Sequence, residues 1–199
     1  MRYTLLVITD GRDDYLTRTL CSALVNLPSP EEVVLVDDRA HILGFAGAIQ
    51  QGWDRILETD ADLIFHLEAD FTFNERIDLE AMAELASNSD VAQVALKRQP
   101  WSPQEIEVGG IVELNPAAFE ERDADGIVHT VTRSCFTTNP CLYRRDIVER
   151  GWPQESESEG KFGIKLFNED PAIVSCFMGG KFDPPKVHHI GDTRAGKGY

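Results

Sequence analysis

The sequence predicts an α/β fold, with a mostly parallel sheet flanked by helices and a smaller mixed β region in its second half. Three observations predict it. Short runs rich in Val, Leu and Ile recur along the first half of the chain, apolar residues at helical spacing fill the intervals between them, and both patterns give way after Pro100 to a hairpin signature.

The first two runs, TLLVI (4–8) and EVVLV (32–36), are bounded by Asp and Gly and have the composition of strands buried on both faces. Between them Leu16, Leu20, Leu24 and Leu27 recur as on a helix, with Asp13 or Asp14 placed to cap it and Pro28 to stop it. A second helical face, Ala46, Ile49, Trp53 and Ile56, precedes the strand DLIFHLE (62–68). The crossover unit is thus repeated, which implies parallel strands with right-handed connections. Leu79, Met82, Ala83 and Ala86 predict a third helix before the strand VAQVALK (91–97). After Pro100 the stretch WSPQEIEVGGIVELNP holds no clear period, and DADG (123–126) followed by IVHTVTR reads as a β-hairpin. Ser156 and Glu159 have the spacing of a capping box, with Phe162 and Leu166 on the inner side of the short helix that follows.

The chain has 199 residues and 42% apolar content, enough for one core, so a single domain is expected over 1–199. Its 34 acidic and 19 basic residues leave a formal charge of −15, which repels nucleic acid and anionic lipid. An anionic ligand must then meet a local gathering of cations or a metal. The four cysteines (Cys21, Cys135, Cys141, Cys176) show no CxxC spacing, sit inside apolar segments and read as reduced core thiols. The first apolar run is too short for a signal peptide and no segment reaches the length of a membrane span, so a soluble, cytoplasmic protein is expected.

Ligands of open parallel sheets collect beyond the carboxyl ends of the strands. Carboxylates stand at three such ends: Asp10 after the first strand, Asp37 and Asp38 after the second, Glu68 and Asp70 after the third. Residues two apart on an extended chain point to one side, so Glu68 and Asp70 are expected to converge on one ligand with Ala69 packed behind. A hard cation, Mg²⁺ or Mn²⁺, takes oxygen ligands and shares its shell with phosphates, which makes a metal and nucleotide site the economical reading.

TLLVITDGRDDYLTRTLCSAL, VVLVDD, GFAGAIQQGWDRI and LIFHLEADF follow one another in an order and spacing that resemble the nucleotide-binding half of GT-A-fold glycosyltransferases of the family-two type. FTTNPCLYRRDIV and HIGDTRAGKGY are also similar to that family. The resemblance implies a Rossmann-like nucleotide-sugar half over 1–99 and an acceptor-binding, catalytic half over 100–199. It implies Asp37 at the nucleobase with Asp10 or Arg12 beside it and Asp38 as a further participant. Glu68-Ala69-Asp70 takes the place of the DxD signature, with Asp70 as metal ligand and Glu68 at the ribose or the metal's water shell. A His after a late strand is a further metal ligand in the family, which points to His189, with His188 as the alternative. Arg194, Lys197 and Tyr199, in a Gly-rich tail, are then suited to neutralise a diphosphate. Aligning the family's apolar-basic-apolar triplet with Ile164-Lys165-Leu166 puts Glu159 at the position of the catalytic base, with Glu157 as runner-up. Crowding of Glu155, Glu157 and Glu159 is expected to raise the proton affinity of at least one.

The activity this implies is metal-dependent, inverting transfer of a sugar, of the hexosyltransferase type, from a nucleotide diphosphate sugar to an acceptor hydroxyl on a glycan, small molecule or protein. Trp101 is a candidate for stacking on donor or acceptor, or for the core. The acceptor half is small, which leaves room for a homo-oligomer or a macromolecular acceptor to complete it. Two rivals stand beside this reading: a sugar-nucleotide-binding module without transfer activity, which needs no base, and a nucleotidyltransferase, whose usual Gly-rich basic loop is missing from TDGRDDYL.

Overall fold

In the computed structural model, which describes residues 2–193, the first strand, β1 (Thr4–Thr9), is buried at every position. Leu6 and Ile8 enter one core and Leu5 and Val7 the other, so the strand reads as continuously apolar because both of its faces are covered. There follow α1 (Asp13–Asn26), β2 (Glu32–Asp37), α2 (Gly44–Leu57), β3 (Leu63–Glu68), β4 (Phe71–Phe73), α3 (Leu79–Ala86) and β5 (Val91–Ala95). The second half holds α4 (Pro103–Val108), α5 (Ile111–Leu114), β6 (Phe119–Ala124), β7 (Ile127–Thr132), β8 (Cys141–Arg144), α6 (Arg145–Val148), α7 (Ser158–Glu169), β9 (Val174–Met178) and β10 (Val187–His189).

Eight strands form one sheet in the order β2-β1-β3-β8-β5-β9-β7-β6, and β4 pairs with β10 in a separate ribbon. From the pairings, β2, β1, β3, β5, β9 and β6 run in one direction and β8 and β7 in the other. The α/β sheet with a smaller mixed region is therefore as the sequence predicts. Strands of the two halves interleave, since β8 and β9 lie on either side of β5. The hairpin forms between β6 and β7, with Asp125 and Gly126 both at positive φ (52° and 89°), the geometry that a two-residue turn between twisted strands requires.

One core packs α2 and α7 against the sheet; the other packs α1, α3 and the β4–β10 ribbon against its opposite face. Trp53 anchors the first, with the rings of Trp152, Phe162 and Tyr143 edge-on at 5.2, 5.3 and 5.8 Å. Such pairs contribute about 0.5–1.5 kcal/mol each beyond the area they bury. The Trp53 indole donates to the Tyr143 hydroxyl (2.9 Å), which lies 3.2 Å from Nδ1 of the buried His66. Helix α2 approaches β1 so closely that a Cβ at Gly52 would sit 2.8 Å from Leu6. Two arginines of YRRDIV fasten helix ends at the opposite pole of the sheet: Arg144 donates to carbonyls of Ala86, Asn88 and Val91, and Arg145 to those of Leu57 and Thr59.

Several expectations are corrected. Of the four thiols, Cys141 and Cys176 are buried but Cys21 lies exposed on the outer side of α1. β2 is an edge strand, and among the described residues its α1-side face is left open, with Val33 and Leu35 53% and 40% exposed. Leu24 lies outside the α1 core stripe and is exposed. Ala69 and Asp70 form a turn between β3 and β4 rather than continuing an extended strand. The capping box at Ser156 does not form: α7 begins at Ser158, Glu157 precedes it in the left-handed region (φ 58°), and the Glu159 carboxylate is taken by Thr138. The stretch after Pro100 is not irregular but contains α4 and α5, too short to show a period. Among the described residues, no helix is long and apolar enough to cross a membrane.

Candidate functional site

A cavity of about 620 Å³ opens beyond the carboxyl ends of β1 and β3. Asp10, Arg12 and Tyr15 line it from the passage into α1, Glu68 and Asp70 from the end of β3, Gly44 and Phe45 from the start of α2, and Glu157 from the approach to α7. The α7 side is held in place by Trp152, whose indole donates to the buried Ser158 hydroxyl at 2.9 Å.

His189 reaches this cavity from the far end of the chain. Antiparallel pairing of β10 with β4 sets His189 opposite Phe71, next to Asp70, and the Ile190 amide donates to the Asp70 carbonyl at 2.7 Å. Nε2 of His189 and Oδ2 of Asp70 are then 3.1 Å apart, with both side chains close to nine-tenths buried. Strand alternation turns the adjacent His188 to solvent. A Cβ at Gly191 would run into the Asp70 carboxylate, so glycine is what lets the chain close over the pair.

Two donors bound side by side to an octahedral cation at ordinary bond lengths stand about 3 Å apart, so the observed spacing suits one imidazole and one carboxylate sharing a divalent metal. Glu68 lines the same cavity, yet no cluster of three His, Cys, Asp or Glu side chains is arranged for a metal among the described residues. The pair fits Mn²⁺ or Mg²⁺ held by few protein ligands, the remainder coming from water or phosphate.

The Glu159 carboxylate lies away from the large cavity. Its Oε1 accepts from the Thr138 amide (2.6 Å) and hydroxyl (3.2 Å), and it lines a smaller cavity of about 140 Å³ together with Lys97, Arg98 and Asn139. Lys97 is buried there and donates to the carbonyls of Gly180 and Lys181; burial pulls its pKa down.

Three solved structures resemble this fold. GalNAc-T7, crystallised with UDP, GalNAc and Mn²⁺, superposes with a TM-score of 0.64 at 11% identity over 95% of this chain and 44% of its own. TarS 1–349 of S. aureus gives 0.59 at 14% identity over 96% of this chain and 61% of its own. A197 from STIV gives 0.53 at 14% identity over 90% and 82%. This is a GT-A-like glycosyltransferase fold. No family model matches the sequence, and no curated protein matches it. The chain spans less than half the length of the GalNAc-T7 chain and about three-fifths of the TarS chain.

Within the GT-A-like fold, Asp70, Glu68, His189, Asp10, Arg12 and Glu157 are brought to the large cavity, while Asp37, Asp38 and Glu159 are not among its walls. Asp10 pairs with Arg12 at 2.9 Å. Asp37 stands at the end of β2, where hydrogen bonds from Arg39 hold its carboxyl below the usual carboxylate range. Asp38 is buried, and its carboxylate accepts from the amides of Ile42, Leu43 and Gly44 at 2.9–3.1 Å, shaping the turn that delivers Gly44 to the cavity. Of the crowded glutamates, Glu155 and Glu157 both line the large cavity, and a hydrogen bond from Lys161 pulls the pKa of Glu155 down rather than up. Arg194, Lys197 and Tyr199 lie outside the described residues. Sequence reasoning missed Tyr15 and Gln99. Nothing in the local sequence marks Gln99, whose partners come from β10.

Proposed function

We propose that the protein transfers a sugar from a nucleotide diphosphate sugar to an acceptor hydroxyl, with inversion at the anomeric carbon. The observation that carries this reading is the Asp70–His189 pair, 3.1 Å apart in a cavity at the strand ends of a GT-A-like fold. Asp70 and His189 would hold Mn²⁺ or Mg²⁺, which when bound supplies charge neutralisation for a departing diphosphate. Asp10 and Arg12 flank the donor, with Asp37 toward the nucleobase, and the tail cations Arg194 and Lys197 add to the diphosphate end.

As the new glycosidic bond forms and the bond to the diphosphate breaks, the acceptor proton goes to a glutamate, either Glu157 at the wall of the large cavity or, where the acceptor reaches the donor through the smaller cavity, Glu159. Donation from the Thr138 amide and hydroxyl aims one of its oxygens and leaves the other for an acceptor entering the smaller cavity. A sugar-nucleotide-binding module without transfer is the second reading. It is favoured by the same contact, because a carboxylate tied to Thr138 also serves as a purely structural link.

A screen of nucleotide sugars by thermal shift, with and without Mn²⁺, followed by turnover assays on those that stabilise, tests the proposal. Metal-dependent stabilisation and release of nucleoside diphosphate, with an inverted product anomer seen by NMR, are the expected results. Stabilisation without any turnover across acceptors supports the module instead.

A further inference from the structure

The imidazole of His189 is flanked by two aromatic rings and its backbone is held from the loop after β5. Phe71 lies against one side, with ring centroids 4.6 Å apart, and Trp101 against another at 4.1 Å. The backbone of His189 is gripped by a single side chain: Gln99 Oε1 accepts from its N–H at 2.8 Å and Gln99 Nε2 donates to its carbonyl at 2.9 Å. Trp101 is 40% exposed, so it is not in place to fill a core.

The loop that carries both residues is itself braced. Glu105, 7% exposed, accepts from the Trp101 amide at 2.9 Å and from both terminal nitrogens of Arg98 at 2.7 and 3.2 Å. The Arg98 guanidinium lies 6.0 Å from the Trp101 ring, and the Ser102 hydroxyl caps α4. Arg98 also bridges to Val187 of β10. A loop that needed only to connect β5 to β6 has no use for a buried carboxylate and an exposed indole set on one imidazole.

We propose that Gln99 and Trp101 are positioning residues that fix the His189 ring toward Asp70 and thereby set the affinity of the site for a divalent cation. This rests on the metal reading above. Supporting groups of this kind commonly change metal affinity by about 10- to 100-fold when removed.

The test titrates Mn²⁺ alone into the full chain by calorimetry, and UDP separately in the presence of a chelator. Gln99→Ala and Trp101→Ala are expected to weaken Mn²⁺ binding by about 10- to 100-fold while UDP affinity in chelator and the thermal midpoint stay near wild type. Trp101→Phe keeps a flat ring and should restore Mn²⁺ affinity. Paramagnetic Mn²⁺ beside His189 should also quench the fluorescence of Trp101, a component identified as the one that Trp101→Phe removes, since Trp53 and Trp152 remain in that variant.

If His189→Ala weakens Mn²⁺ binding but Gln99→Ala and Trp101→Ala match wild type, the positioning role is wrong and the metal reading stands. Equal losses of Mn²⁺ and chelator-insensitive UDP binding would also overturn it, as general damage to the fold. If His189→Ala binds Mn²⁺ as wild type does, the metal reading falls and this proposal with it.

Discussion

The Asp70 carboxylate meets the His189 imidazole at 3.1 Å because a two-stranded ribbon outside the main sheet pairs the residues that follow one with the strand that ends in the other. The contact joins the first half of the chain to its last described segment. If the pair is a metal site, nucleotide binding reports it. Asp70→Asn should abolish the Mn²⁺-dependent part of UDP affinity, and His189→Ala should lower it by about 10- to 100-fold, with Glu68→Gln doing less. Calorimetry with Mn²⁺ and with chelator checks this; equal Mn²⁺ dependence in wild type and Asp70→Asn removes Asp70 as a ligand.

Glu159→Gln separates enzyme from binding module. A general base acts on the acceptor and scarcely touches the donor, so the change should leave nucleotide-sugar affinity nearly intact while transfer falls by about 10²- to 10⁴-fold. Both hydrogen bonds from Thr138 go to Glu159 Oε1, an acceptor that glutamine keeps, so stability is expected to fall by no more than about 1 kcal/mol, measured by denaturant beside the activity. Glu157→Gln should do less to turnover. If Glu157→Gln is instead the variant that binds and does not transfer, the base is the residue at the wall of the large cavity.

Asp37 and Asp38 are neighbours with opposite demands. Asp38→Ala leaves three amides of the 42–44 turn without their carboxylate and should cost about 1–3 kcal/mol, with a fall in nucleotide affinity as Gly44 and Phe45 lose their support. Asp37→Ala breaks an exposed pair with Arg39 and should change stability by no more than about 1 kcal/mol. An effect of Asp37→Ala on donor affinity alone is the expected sign of a nucleobase contact.

His66 predicts a pH dependence. Burial lowers its pKa to about 4, whereas the unfolded chain retains the ordinary value of 6.5. The unfolded state therefore takes up a proton first, and stability present above pH ~6.5 is lost as pH falls toward ~4, by about 3 kcal/mol in total. Denaturant unfolding of wild type and His66→Phe at neutral pH and near pH 4 checks this. The slope between those limits should be shallower in the variant, although losing the contact with the Tyr143 hydroxyl lowers its stability at every pH.

The strand-helix alternation of the first half was legible because each element there is long enough to show its own period. α1, α2 and α3 carry stripes of Leu, Ile and Ala, and β1, β3 and β5 are mostly apolar because layers cover both faces. The hairpin was legible because Asp-Gly at its tip is nearly a code for the turn. The spacing predicts a capping box at Ser156–Glu159, whereas a related one exists at Ser102–Glu105, where Ser102 caps α4, Pro103 opens it and the Glu105 carboxylate accepts from the Trp101 amide. The two motifs look alike in one dimension. What separates them is Thr138, which takes the Glu159 carboxylate from across the fold.

The same division holds at the site. Carboxylates at the ends of β1, β2 and β3 were determined by the sequence alone, since a strand end is a local event and ligands of such sheets gather beyond it. That Asp38 shapes a turn while Asp70 faces a cavity, that His189 rather than His188 turns inward, and that Gln99 and Trp101 enclose it were decided only by tertiary structure. Those roles depend on which strand pairs with β4 and on where the loop after β5 crosses β10, and contacts between residues so distant in the chain leave no period or spacing in the sequence to be read.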